Sequence, residues 1–163
     1  MRIAAISDSH GSIPGRTFEV LEGADLILHL GDLGPSSLLH DLGALAPVLA
    51  VQGNNDLPGQ PELPPRRLIR EEGLTIHMRH LPWPASETRG AEAPSLFLFG
   101  HTHRPSIEST ATGTLLCPGS LRLPRGGFPA SYAWLILESG VCRISVRALS
   151  DRRLLIEESW EYR

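Results

Sequence analysis

The sequence predicts an α/β fold built from two packed β-sheets with helices on the outside. Three observations support that class. The first third of the chain alternates short apolar runs with helical patterns in the order βαβαβ, which calls for parallel strands joined by helical crossovers. The remainder is rich in short β-type runs separated by Gly, Pro and Ser turns. Each of the first three strands ends in a polar cluster, at the edge where open α/β sheets place their ligands.

Arg2 to Ser7 reads as a buried strand, too short and too β-branched at Ile3 and Ile6 for a helix, and it ends in Asp8-Ser9-His10-Gly11. A helix is expected from about Pro14, with Phe18, Val20 and Leu21 inward and Gly23 stopping it. Asp25 to Leu30 is the second strand and ends in Gly31-Asp32. Ser36 or Ser37 caps a helix through about Ala46, with Pro47 beyond it, and Val48 to Val51 is a third strand ending in Gly53-Asn54-Asn55-Asp56.

Leu57 to Pro65 holds four prolines and a glycine and reads as a loop. Leu68 to Arg70, a Glu72-Gly73 turn and Leu74 to Arg79 form a hairpin ending at His80, and a short helix or loop covers Ala85 to Ala93. A strand at Ser95 to Phe99 precedes Gly100-His101-Thr102-His103. Ile107 to Thr110 pairs with Thr114 to Cys117, Ser131 to Glu138 pairs with Val141 to Arg147, and Leu154 to Trp160 adds an edge strand. A parallel first half and an antiparallel second half are expected. There is no internal repeat or linker, so residues 1–163 read as a single domain.

At 163 residues the chain can bury roughly two-thirds of its unfolded surface. With 41% apolar and 20% charged residues and a net charge of −3, it has the composition of a soluble globular protein without an extended nucleic-acid footprint. All 15 basic residues are arginine, as a GC-rich genome or growth at high temperature would each produce. Cys117 and Cys142 lack CxxC spacing and read as two reduced thiols. The N-terminus has no signal-peptide pattern and no run approaches a membrane span, so a cytoplasmic location is expected and no membrane partner. Homo-oligomerisation is left open.

The chemistry is concentrated at the strand ends, where Asp8, His10, Asp32, Asn54, His80, His101 and His103 all offer oxygen or nitrogen donors. Two imidazoles one residue apart on a glycine turn can aim into one cavity, as could alternating side chains if strand pairing continued through His101 and His103. Seven such donors without a thiolate exceed one four-coordinate zinc site and suit two divalent ions sharing a carboxylate. Mixed imidazole and carboxylate ligands fit manganese, iron, zinc or nickel.

Asp8-x-His10, Gly31-Asp32, Gly53-Asn54-x-Asp56, His80 and Gly100-His101-Thr102-His103 resemble, in order, the motifs of the calcineurin-like metallophosphoesterases. The short chain and Pro118-Gly119-Ser120 followed by Pro124-Arg125 resemble the small single-domain YfcE-type phosphodiesterase branch. The resemblance runs from Met1 to about Glu138 and implies a four-layer α/β/β/α sandwich of two packed mixed sheets. It assigns Asp8, His10, Asp32 and His103 to a first metal, and Asp32, Asn54, His80 and His101 to a second, with Asp32 bridging. Asp32, Asn54, His80, His101 and His103 become the residues on which catalysis depends. The implied cofactor is a pair of divalent ions, Mn²⁺ first and Zn²⁺, Fe²⁺ or Ni²⁺ as alternatives.

Two metals about 3.5–4 Å apart acidify a shared water to hydroxide and orient it for in-line attack on phosphorus. Two dications facing two carboxylates and one hydroxide leave a single net positive charge, which matches a monoanionic phosphodiester better than a dianionic monoester. The expected partner is therefore a small phosphoester. Where many larger family members carry a histidine that protonates the leaving group, this chain has Asn55, and an amide is no general acid. The family's His-Gly is His80-Leu81 here; His77 is the alternative ligand, set aside because it lies within its strand.

Several residues have a plainer reading. Taken alone, Asp8, Asp32 and Asn54 would be turn residues or caps. Asp56 orients a neighbouring ligand or its loop, His29 is a core or supporting histidine, and His40 is surface. Trp83 walls the pocket or packs; Arg122 and Arg125 bind phosphate oxygens or serve the surface; Arg66, Arg67 and Arg70 form a solvated strand face.

Two rival functions account for less of the pattern. A non-catalytic metal-binding or interaction scaffold of the same fold, like the retromer subunit, would have lost ligands that this chain keeps. An amidohydrolase opens with His-x-His in a barrel of about 250 residues, whereas here Asp-x-His comes first.

Overall fold

A computed structural model describes residues 1–56, 63–89 and 95–162. The first sheet joins β1 (Arg2–Ile6), β2 (Leu26–His29) and β3 (Val48–Ala50) to three later strands. The second contains β4 (Arg66–Glu71), β5 (Leu74–Arg79), β6 (Ser95–Leu98), β7 (Ser106–Thr110) and β8 (Gly113–Cys117). The later strands of the first sheet are β9 (Ser131–Glu138), β10 (Val141–Ala148) and β11 (Leu154–Glu161), giving the order β11-β10-β9-β1-β2-β3. The second sheet runs β4-β5-β6-β8-β7.

Both sheets are mixed. β1, β2 and β3 pair in parallel, as the βαβαβ pattern requires. The expected split into a parallel first half and an antiparallel second half is corrected in two places. β5, β6 and β8 pair in parallel within the second half, because the connections between them are long enough for the crossover that parallel pairing needs. The β9–β10 hairpin leaves the second sheet and docks on β1, with Arg2 opposite Ile136 and Ala5 opposite Ala133. β11 closes the edge, with a register shift at Val146/Arg147.

Strand alternation sorts the core into two layers. Ile3 and Ala5 of β1 face the second sheet. They share the core between the sheets with Leu28 of β2, Ile76 and Met78 of β5, Leu98 of β6 and Leu116 of β8. Ala4 and Ile6 face outward and meet α1 (Arg16–Leu21) and α2 (Ser37–Gly43) through Val20, Leu21 and Leu42. Outside the second sheet the described helix is one turn, α3 (Ala85–Thr88), close in sequence to Trp83, which packs edge-on against Phe97.

The helices are shorter than expected. α1 starts after Pro14 and ends where Glu22 turns extended and Gly23 takes φ +78°; Thr17 is buried in it, while Phe18 is half-buried. α2 stops at Gly43 rather than Ala46, and Ser36 makes no side-chain cap bond. Of the loop expected over Leu57 to Pro65, residues 57–62 lie outside the described residues, as do residues 90–93 of the helix or loop expected over Ala85 to Ala93. Cys117 and Cys142 are both free and buried, and burial pushes their thiols up to about 11 and about 12. Among the described residues no helix is long and apolar enough to cross a membrane.

Candidate metal centre

Five loops meet where β1, β2, β3, β5 and β6 end, and backbone bonds tie them together. Asp8 N donates to Gly31 O (3.1 Å), His10 N to Asp32 O (2.9 Å) and Gly100 N to His80 O (2.9 Å). The last of these crosses no sheet boundary, whereas Leu121 N to Ser7 O (3.1 Å) brings in the loop after β8.

The loops turn too tightly for extended backbone. Asp8, His10, Asp32, His101 and His103 all lie in the left-handed region, with φ between 45° and 64°. Each such residue costs on the order of 1 kcal/mol, and residues held this way cluster at functional sites. His101 and His103 therefore reach the cavity through a turn, and the alternative of continued strand alternation is excluded. Glycines make room: a Cβ on Gly53 would collide with Asp32, and one on Gly100 with the Ser7 hydroxyl.

One donor atom from each of Asp8, His10, Asp32 and His103 lies within 4.8 Å of the others. His103 Nε2 is 3.1 Å from Asp8 Oδ1 and 3.3 Å from His10 Nε2. His10 Nε2 is 3.8 Å from Asp32 Oδ2, while His80 Nε2 is 3.4 Å from the other oxygen, Oδ1. His101 Nδ1 lies 2.8 Å from Asn54 Oδ1, and the His80 and His101 rings meet edge-on at 5.2 Å between centroids. All seven residues singled out in the sequence thus border one cleft. Asp8, Asp32, His80 and His103 are buried, His10 and His101 are half-buried, and Asn54 is exposed.

The donor set fits a metal. Asp8 Oδ1 and His80 Nε2 are buried atoms without a hydrogen-bond partner, and both face the cluster. Two histidines are set in one tautomer by carbonyls, which only accept. His80 Nδ1 donates to Leu30 O (2.7 Å) and His103 Nδ1 to Leu123 O (2.6 Å), so each neutral ring turns its Nε2 lone pair inward.

Burial raises the Asp8 carboxyl, and the Ser7 hydroxyl and the His80 and His103 rings offset only part of that. Burial also opposes ionisation of Asp32, but the His80 ring beside it and hydrogen bonds from the Asn55 backbone and side chain outweigh it and hold Asp32 well below the usual carboxylate range. For His80, burial favours the neutral ring, and the adjacent Asp32 carboxylate, the Leu30 carbonyl and the charge of Asp8 reverse the sign and raise it.

Asn55 carries more weight than the sequence indicated, and Asp56 has the loop-orienting role expected of it. Asn55 donates from its backbone to Asp32 Oδ1 (2.9 Å) and from its amide to Oδ2 (2.6 Å), clamping both oxygens. Asp56 accepts from Leu33 N (2.7 Å), Gly34 N (3.1 Å) and Gly53 N (2.8 Å), and so staples the loops after β2 and β3 together. Its place in Gly53-Asn54-Asn55-Asp56 was the available signal. Ser120, at the end of the Pro118-Gly119-Ser120 turn, donates to Asp8 O (3.0 Å).

The remaining candidates separate from the cleft. His77 stacks on Phe97 at 4.7 Å and meets Trp83 edge-on, so the structure brings His80 and not His77 to the cluster. Trp83 packs: its Nε1 donates to Leu98 O (3.0 Å) and Arg79 lies over its ring at 4.6 Å. His29 is fully buried, with Nε2 2.9 Å from Ser9 Oγ, and His40 is exposed. Arg122 and Arg125 are exposed; Arg125 N donates to His103 O (3.1 Å). Arg67 departs from a solvated face, since it is half-buried and its Nε donates to Ala50 O (2.8 Å).

Fold and cleft together define a two-sheet sandwich with a candidate metal centre at its strand ends. Residues 1–140 match the calcineurin-like phosphoesterase superfamily domain, and the chain belongs to that superfamily. It is 36% identical over 137 residues to a protein named probable metallophosphoesterase in Methanothermobacter thermautotrophicus, covering 77% of this chain and 80% of that one. It is 32% identical, over an alignment of 184 positions, to the phosphodiesterase YfcE of Escherichia coli K12, covering 96% and 97% of the two chains. The solved structure of E. coli YfcE superposes with a TM-score of 0.80 at 26% identity, over 97% of this chain and 98% of that one. Vps29 of Entamoeba histolytica in complex with zinc shares the fold, with a TM-score of 0.79 at 21% identity over the whole of both chains.

Proposed function

We propose that this chain is a metal-dependent phosphoesterase that holds two divalent cations and hydrolyses small phosphodiesters. The observation that carries the reading is the position of Asp32, whose two oxygens face His10 and His80 separately. Asp8, His10, Asp32 and His103 would hold one ion, and Asp32, Asn54, His80 and His101 the other. Bound there, two divalent ions, manganese before zinc, iron or nickel, supply an activated water for in-line attack and stabilise charge on the phosphoryl oxygens. The protein's own part is to keep that ligand set in place. Leu30 and Leu123 carbonyls orient His80 and His103, Asn55 keeps Asp32 ionised, and Asp56 fixes the two loops that present Asp32 and Asn54.

The test is metal content after reconstitution with each ion, together with hydrolysis of bis(p-nitrophenyl) phosphate. Metal uptake with turnover is the expected result. A protein that binds metal and hydrolyses no ester would instead be a scaffold, and one that binds no divalent ion would overturn the reading.

A further inference from the structure

A cavity of about 450 Å³ opens directly beside Asn54 and His80. Its walls differ in character. Pro65 and Leu81 give an apolar side, and Leu81, at 49% exposure, stands where the resemblance leads one to expect glycine. Facing them are Arg66 and Glu87, with Glu87 Oε2 accepting from both Arg66 Nη1 (2.7 Å) and Arg79 Nη1 (3.0 Å). That carboxylate is neutralised by two guanidiniums, and both contacts fall on one oxygen, Oε2.

We propose that this cavity is the subsite for the ester arm that stays on phosphorus, and that it selects diesters whose retained arm is a flat organic group of nucleoside size. This rests on the phosphoesterase reading above. The volume is that of a small-molecule pocket. A mixed wall of apolar carbons and an exposed carboxylate matches a ring that also carries N–H or O–H donors. Apart from His80, whose Nε2 faces Asp32 and would be taken up by the metal, the charged lining groups give up no proton near neutral pH: Arg66 and Arg79 are permanently charged, and their guanidiniums keep Glu87 ionised. A departing oxygen therefore gains nothing there, whereas a retained arm needs no proton. A phosphomonoester leaves the cavity empty, so the pocket adds to the charge argument for diesters.

The experiment uses metal-loaded protein and p-nitrophenyl diesters that share one leaving group but retain a methyl, phenyl or thymidine 5′ arm. Wild type is expected to favour the phenyl and thymidine arms over methyl by about tenfold or more in kcat/KM. Leu81→Trp, which fills the cavity from an exposed position, is expected to erase that preference. Binding of the thymidine diester to metal-free protein, followed by saturation-transfer NMR, is expected to weaken about tenfold in the same variant. An active wild type indifferent to the retained arm, or a preference and affinity that survive Leu81→Trp, overturns the subsite alone. A wild type inert on all three esters overturns the phosphoesterase reading and the subsite with it.

Discussion

Asp32 Oδ1 lies 3.4 Å from His80 Nε2, and this contact joins the loop after β2 in one sheet to the end of β5 in the other. Because Oδ2 faces His10 at 3.8 Å, the carboxylate belongs to both halves of the cleft. Asp32→Asn keeps the shape and removes the charge that both halves share. Hydrolysis is expected to fall to the metal-free background while a cooperative unfolding transition persists. Metal at 100 times its Kd should stabilise wild type by about 2.7 kcal/mol and the variant by far less. Thermal melts with and without metal check this.

Asn55 acts one step further out. Its backbone and amide donate to both Asp32 oxygens. Asn55→Ala keeps the backbone bond and loses the amide bond. Metal affinity is expected to drop about 10-fold or more, the usual effect of removing a group that orients a ligand. Competition with a chromogenic chelator measures it, and unchanged affinity would show the clamp to be dispensable.

His29 makes the fold sensitive to acid. Burial holds its ring neutral in the folded chain down to about 4, against an ordinary value of 6.5, despite the opposing pull of Asp56. Between those values the unfolded chain takes up a proton that the folded chain refuses, so stability falls as pH drops through the window. The loss is roughly 3 kcal/mol at most. The raised carboxyl of Asp8 has the opposite slope in part of this range, so the variant comparison isolates His29. Denaturant midpoints of metal-free protein at pH 7 and pH 4.5 should converge in His29→Leu relative to wild type.

The candidate site positions were legible because each follows a short apolar run: Asp8 after Ile3 to Ile6, Asp32 after Leu26 to Leu30, and His101 after Leu96 to Phe99. Local pattern also favoured His80 over His77, since burial alternates along β5 and His77 falls inside it. What stayed hidden depends on distance along the chain. The pairing of Arg2 with Ile136 and the parallel run β5-β6-β8 are choices among partners that no local periodicity encodes. Asn55 was read for the acid it lacks, because a hydrogen bond to a residue 23 positions earlier leaves no mark in composition.

The same residue sets the last expectation, which concerns the leaving group. The Asn55 amide donates to Asp32 Oδ2 at 2.6 Å, so it is committed to orientation and holds no proton that it can transfer. Negative charge on the departing oxygen then goes unrelieved in the transition state, and the rate must depend on how well the leaving group bears it. Across aryl diesters at fixed pH, log kcat/KM is expected to fall steeply as leaving-group pKa rises. Asn55→His supplies an acid but removes the amide from Asp32. The slope should therefore become shallower while the rate with p-nitrophenolate, which needs no proton, declines. A wild-type slope near zero would mean that another group already protonates the leaving oxygen, and the half-exposed His101 would be the first to replace.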